Sequence, residues 1–91
     1  MTYLRIEEIT YGEPIDRDIV DKLLELDIVA YRYPERGVVE VAEADCEQLR
    51  TMLRLATQLD INPAGIETIM HMRERIRRLQ REVRALRALR P

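Results

Sequence analysis

The sequence predicts a mainly α-helical fold, in which a winged helix-turn-helix with a short β-hairpin wing precedes a long C-terminal dimerisation helix. Two short amphipathic segments joined by a tight turn indicate the helix-turn-helix. Two β-rich runs on either side of a Pro…Gly turn indicate the wing. Near the C-terminus, apolar residues recur at spacings of three and four, which is typical of a helix that packs lengthwise against another helix.

The 91 residues are enough for one domain with an extension. We expect the winged helix-turn-helix body, including a third helix, over residues 1–62, and the long helix over residues 63–91. A body of this size buries only about 60% of the surface of its unfolded chain, so an interface with a second copy would stabilise it.

The first two helices are predicted from apolar spacing and from a cap. Leu4–Tyr11 has a helical pattern, which Gly12-Glu13-Pro14 interrupts. Asp16 is suited to cap a second helix that extends to about Leu26. The predicted buried side of that helix consists of Ile15, Ile19, Val20, Leu23, Leu24 and Leu26.

The wing and the third helix follow. Residues 30–33 and 38–41 are rich in β-formers and flank a four-residue loop, Pro34–Gly37, which predicts a hairpin. Residues 43–59 predict a third helix with Cys46 on its buried side. Asn62 is a suitable N-cap, and Pro63 a suitable first residue, for the long helix that continues to about Leu89.

The long helix has an apolar seam, which we call the dimer seam. Nothing else in the chain is long enough to cover it, so a second copy is the simplest partner and we expect a homodimer. Glu82 fits pairing with Arg87 of a parallel copy, or with arginines of an antiparallel one. The dimer seam consists of Ile69, Met72, Ile76, Leu79, Val83 and Leu86.

The charges of the two halves are opposite. Residues 1–48 have 13 acids and 5 bases, a net charge of −8, whereas residues 49–91 have 4 acids and 10 bases, a net charge of +6. Either both halves are simply solvated, or they face different partners. Eight arginines between Arg73 and Arg90 are opposed by Glu74 and Glu82; they would suit a phosphate backbone, but we expect a solvated surface spread around the helix.

No pattern of residues indicates catalysis. The one histidine, His71, is expected to be solvated, and the one cysteine, Cys46, to be a small core residue. The glycines are too scattered for a phosphate loop. We therefore expect no enzymatic activity and no cofactor or metal. The first residues, MTYLRIEEIT, contain no apolar run, and no segment is apolar enough to span a membrane, which favours a cytoplasmic location.

The order of elements, and the stretch Asp60-Ile61-Asn62-Pro63-Ala64-Gly65-Ile66 before the long helix, resemble the MerR superfamily. Within it, the chain is most similar to the CbpM-like chaperone-modulator branch, whose members regulate a DnaJ-like co-chaperone. The resemblance covers nearly the whole chain. It implies a dimer, with antiparallel long helices, that binds the J-domain of such a co-chaperone.

One departure from the DNA-binding members of that superfamily is informative. Their second helix has an Arg and a Tyr that contact DNA, where this chain has Asp21 and Lys22. Acids repel a phosphate backbone, so DNA binding is not expected from this helix. An acidic helix suits a basic partner, and the J-domains of such co-chaperones have a basic helix. The predicted binding residues, which we call the acidic face, are Asp16, Asp18, Asp21, Lys22 and Glu25.

Three functional hypotheses follow. In the first, the protein binds a J-domain and restrains the co-chaperone. In the second, it is a MerR-type transcription regulator, similar to a heat-shock repressor, that uses the wing and the arginine-rich helix on DNA. In the third, it is a dimerisation fragment with no further partner.

Overall fold

A computed structural model describes all residues from Met1 to Pro91. Strand β1 (Tyr3–Arg5) leads directly into the short helix α1 (Ile6–Ile9), and helix α2 (Arg17–Leu24) follows after a turn. Strands β2 (Tyr31–Arg32) and β3 (Glu40–Ala42) come next. A 3-10 turn (Glu43–Asp45) then joins helix α3 (Cys46–Gln58), and the long helix α4 (Pro63–Ala88) ends the fold. This order confirms the mainly helical winged helix-turn-helix.

The predicted wing becomes a three-stranded antiparallel sheet with the order β1-β3-β2. Leu4 and Arg5, which the sequence predicted as helix, belong instead with Tyr3 to a strand that pairs with β3, where Leu4 lies opposite Val41. The extended conformation is favoured because the strand fills the free edge of β3 and satisfies its backbone groups. The helical prediction for Leu4–Tyr11 is therefore wrong except at Ile6–Ile9.

The loop between β2 and β3 is longer than the predicted four residues. Tyr31 pairs with Val41 and Arg32 with Glu40, so residues 33–39 form the connection. Val39 is fully buried and its carbonyl accepts the N–H of Ile6, so this end of the loop belongs to the core rather than to a regular hairpin.

The helix boundaries otherwise stay close to the predictions. Helix α2 ends at Leu24 rather than at Leu26, because Asp27 takes a positive φ of 57° that closes the turn. Helix α4 begins as predicted, with the side chain of Asn62 accepting the N–H of Gly65 and with Pro63 in the first turn.

The core is formed where α2, α3, the sheet and the start of α4 meet. Ile66 and Met70, on the first two turns of α4, are buried in it, so this helix begins as part of the body and then extends beyond it. From His71 onward, every residue except Arg73 is exposed, and the molecule is 57 Å long. None of the helices combines the length and apolar composition that a membrane span requires.

Candidate functional site

Helix α2 is held in one orientation by its cap and its core contacts. The Asp16 carboxylate accepts the N–H of Asp18 at 2.9 Å, which satisfies a donor of the first turn. Val20, Leu23 and Leu24 are fully buried. The opposite side of the helix, which includes Asp18, therefore points outward.

The residues of the acidic face differ in how exposed they are. Four of them are exposed, namely Asp16, Asp18, Lys22 and Glu25, whereas Asp21 is half-buried. Its Oδ1 accepts a hydrogen bond of 3.2 Å from the hydroxyl of Tyr33, on the loop after β2. Asp21 is therefore partly covered, and it also holds the loop of the wing against α2.

Arg17 is a second charged residue of α2 that is partly covered. It is half-buried, with Nη2 donating to the carbonyl of Gly37 at 2.7 Å and Nη1 3.5 Å from the carboxylate of Glu7. Its charge is thus directed at the wing loop and at α1. Lys22 remains as the exposed base of α2, and the outward surface is more acidic than the sequence indicated.

A cluster of aromatic residues lies beside the acidic face, and the sequence analysis did not assign it a role. The rings of Tyr31 and Tyr33 meet edge to face with their centroids 5.6 Å apart. Partial burial, and then the carboxylate of Asp21, raise the pKa of the Tyr33 hydroxyl. The alternation in Ala30-Tyr31-Arg32-Tyr33 was the available signal, because alternate residues of a strand share a face.

One of the two basic residues of this wing, Arg32, is also paired internally, whereas Arg36 is exposed and makes no ion pair in the protomer. Arg32 lies over the ring of Tyr3, 4.0 Å from its centroid, and its Nε is 2.7 Å from the carboxylate of Glu40. Arg32 and Glu40 therefore form a direct ion pair. Because its guanidinium group already contacts Glu40 and Tyr3, Arg32 is poorly placed to bind a phosphate group.

The dimer seam lies on the part of α4 that extends from the body. Ile69 is half-buried beside the core, whereas the other five residues are between 45% and 66% exposed in the protomer. Exposed apolar residues in a continuous row are unusual on a soluble protein unless another surface covers them. The row consists of Met72, Ile76, Leu79, Val83 and Leu86.

The arginines of α4 are less evenly spread than the sequence analysis assumed. With about 100° of rotation per residue, five of them fall within roughly 120° of the helix circumference. Arg81 is 3.6 Å from Glu74, and Arg73 donates to the sulfur of Met70. The five are Arg73, Arg77, Arg81, Arg84 and Arg87.

Other candidate groups have structural roles. A groove of about 380 Å³ lies between α3 and the end of α1 with the turn that follows it, residues 9–15. Its Arg50 donates to the carbonyl of Ile9 and to Glu47, and stacks near Tyr11. Cys46 is buried with a raised pKa, caused first by burial, and His71 is exposed on α4. No group of three or more His, Cys, Asp or Glu residues is placed to hold a metal ion.

Comparison with known proteins gives one result. A family model described as "MerR HTH family regulatory protein" matches residues 4–88, which is nearly the whole chain. No curated protein shows a significant match. No solved structure does so either.

Proposed function

The chain belongs to the MerR helix-turn-helix family of regulatory proteins, and we propose that it is a non-enzymatic chaperone modulator of the CbpM-like branch. In this proposal it binds the J-domain of a DnaJ-like co-chaperone and restrains its activity. The surface of contact is the acidic face of α2.

The observation that carries this proposal is the outward charge of α2. Asp18 and Glu25 are exposed and make no ion pair within the protomer, and Asp21 is only partly covered. A row of carboxylates at i, i+3 and i+7 occupies one side of the helix. Such a row attracts a basic helix, accelerates its association and selects against acidic partners.

The positions of the basic residues support a protein partner over DNA. Each phosphate contact of a DNA-binding protein requires a cation that is free to reach it. Arg17 is bonded to the wing loop, and Arg32 to Glu40 and Tyr3. The helix-turn-helix therefore offers mainly acids to a partner, because Arg17 and Arg32 serve the fold and only Lys22 and Arg36 of α2 and the wing loop remain exposed bases.

We further propose that the protein acts as a homodimer joined through the dimer seam. A dimer would present two acidic faces, and a co-chaperone whose two chains are themselves joined would engage both at once. Multivalent engagement of this kind raises apparent affinity without new contacts at either site.

The experiment is titration calorimetry against the J-domain of the host's DnaJ-like co-chaperone. Asp18→Lys with Glu25→Lys is the preferred variant, because neither side chain supports the wing as Asp21 does. We expect slower association and weaker binding, and a binding constant that falls as salt rises. The control is Glu13→Lys with Glu43→Lys, which makes the same change in net charge outside α2. Equal binding by both double variants would refute a role for the acidic face.

A DNA-binding regulator is the second candidate function, favoured by the family description and by the arginine-rich side of α4. It is tested by a mobility-shift selection from a random duplex library at about 0.15 M salt, a concentration that weakens nonspecific phosphate contacts. Our proposal expects no enriched site. Recovery of a palindrome bound at nanomolar affinity would favour the regulator instead.

A further inference from the structure

The ring of Tyr33 makes two contacts at the border between the wing and α2, although 53% of the residue is exposed. Its hydroxyl donates to Asp21 at 3.2 Å, and the ring of Tyr31 contacts it edge to face. Two contacts at different points of the ring fix its orientation. An exposed aromatic side chain that is already ordered loses little conformational entropy when a partner covers it.

The surroundings of this ring are negative, and no cation of the protomer occupies it. Asp21 contacts it directly, and Glu25 is near enough to contribute to the raised pKa of its hydroxyl. The neighbouring residue in the sequence, Arg32, stacks instead on Tyr3. The second carboxylate oxygen of Asp21 has no hydrogen-bond partner. The ring of Tyr33 and the carboxylates of Asp21 and Glu25 can therefore all contact a cation of a partner.

An aromatic ring flanked by carboxylates is a receptor for a cationic side chain. The π-electrons of the ring attract a cation that lies over its face, and a tyrosine within about 6 Å is effective. Carboxylates beside the ring add charge and hydrogen-bond acceptors, which suit the flat guanidinium group best. Apolar or acidic side chains would gain nothing comparable at this position.

We propose that Tyr33, together with Asp21 and Glu25, binds one arginine or lysine side chain of the basic partner, with the cationic group stacked on the Tyr33 ring. The inference rests on the proposed function, because it locates the point where the basic helix of the J-domain engages the acidic face. Tyr33 is then the anchor of the interface. Asp21 acts both as a contact and as the residue that positions the ring.

The test replaces Tyr33 by Phe, by a fluorinated phenylalanine and by Leu. Tyr33→Phe keeps the ring and loses the bond to Asp21, so it separates the ring from the hydroxyl. Pentafluorophenylalanine at the same position keeps the shape of the ring but reverses the charge of its face. The matched control is Tyr11→Leu, because Tyr11 is also exposed but lies beside Arg50 rather than α2.

Binding of the J-domain is measured by calorimetry for each variant. We expect a small loss with Tyr33→Phe, and about a tenfold loss with both Tyr33→Leu and the pentafluoro variant, as for removal of a cation–π contact at a partly desolvated site. Tyr11→Leu should bind as the unaltered protein does. If the pentafluoro variant binds as tightly as Tyr33→Phe, the stacked cation is refuted, whether or not Tyr33→Leu folds.

A second probe separates this inference from the proposed function. A hexa-arginine peptide is titrated into the protein, and the ring resonances of Tyr33 and Tyr11 are followed by NMR. We expect shifts at Tyr33 that exceed those at Tyr11. If the J-domain does not bind but Tyr33 responds to the peptide, the proposed function fails and the receptor stands. Equal shifts at both rings would overturn the receptor itself.

Discussion

Replacing Ile76 with glutamate is expected to dissociate the proposed dimer while leaving the protomer folded. Ile76 lies at the middle of the dimer seam, and 51% of it is exposed in the protomer. The core contacts of α4 are made by Ile66 and Met70, closer to its start. A change at Ile76 therefore acts on the interface and not on the body.

The magnitude follows from the exposed area of the seam. Full burial of a Leu, Ile, Val or Met side chain contributes about 1.5–3 kcal/mol, so covering the exposed half of one contributes roughly 1 kcal/mol. Five such residues on each of two helices give roughly 10 kcal/mol. Each side chain supplies about a tenth of this contribution, so the affinity is sensitive to single changes.

Ile76→Glu removes roughly 2 kcal/mol of this contribution per dimer, and it also buries two carboxylates without partners, each at a cost of several kcal/mol. We expect the dissociation constant to rise at least about a hundredfold. Sedimentation velocity at micromolar concentration should show a dimer for the unaltered protein and a monomer for the variant. Circular dichroism at the same concentration should show retained helix.

The matched control is Ala85→Glu. Ala85 is exposed and lies nine residues after Ile76, which places it on the opposite side of α4. It adds the same charge to the same helix, and the dimer should persist. A dimer that survives Ile76→Glu would refute the seam, and dissociation by both variants would show that charge alone, rather than apolar contact, decides the assembly.

Three further predictions concern stability and reactivity. Asn62→Ala removes the cap of α4 and should cost about 1 kcal/mol, which lowers the melting temperature by about 4–8 °C in a thermal melt. The pKa of Tyr33 is raised above 10.0, so the unfolded chain loses this proton first and stability falls as pH rises above that value; melts at alkaline pH should show a smaller fall for Tyr33→Phe. Cys46 is 3% exposed with a raised pKa, so Ellman's reagent at neutral pH should label it slowly until denaturant is added.

Most of the helices are predictable from the sequence because their signals are local. The cap at Asn62, the proline that follows it and the apolar spacing of α3 all lie within a few residues of the elements that they define. Strand β1 is different, because its three residues, 3–5, are too few to show the alternation of apolar and polar residues that is typical of a strand. The extended conformation is set by pairing with β3, nearly 40 residues later, and local periodicity contains no information about that partner.

The candidate site is predictable in composition but not in contacts. The order of acids along α2 identifies which residues share its outer side. Whether a charged side chain is free depends on the loop packed against it, as with Asp21 and Tyr33 or Arg17 and Gly37. These pairs are 12 and 20 residues apart and are brought together only by the wing. The sequence therefore overestimated the number of free charges of both signs.

The end of α2 indicates why a cation should bind there and not elsewhere on the acidic face. Glu25 occupies the C-cap of the helix, where the helix dipole disfavours an anion, and Asp21 is one turn before it. Two like charges four residues apart also destabilise a helix slightly.

Asp18 differs from this pair because it is in the first turn, where the dipole favours an acid. A partner's cation placed between Asp21 and Glu25 would offset both unfavourable terms, so its binding would stabilise α2 as well as the complex. Addition of saturating J-domain should therefore raise the melting temperature of the unaltered protein, by linkage, and raise it less for Glu25→Gln than for Asp18→Asn. Equal shifts for the two variants would place the cation elsewhere on the helix.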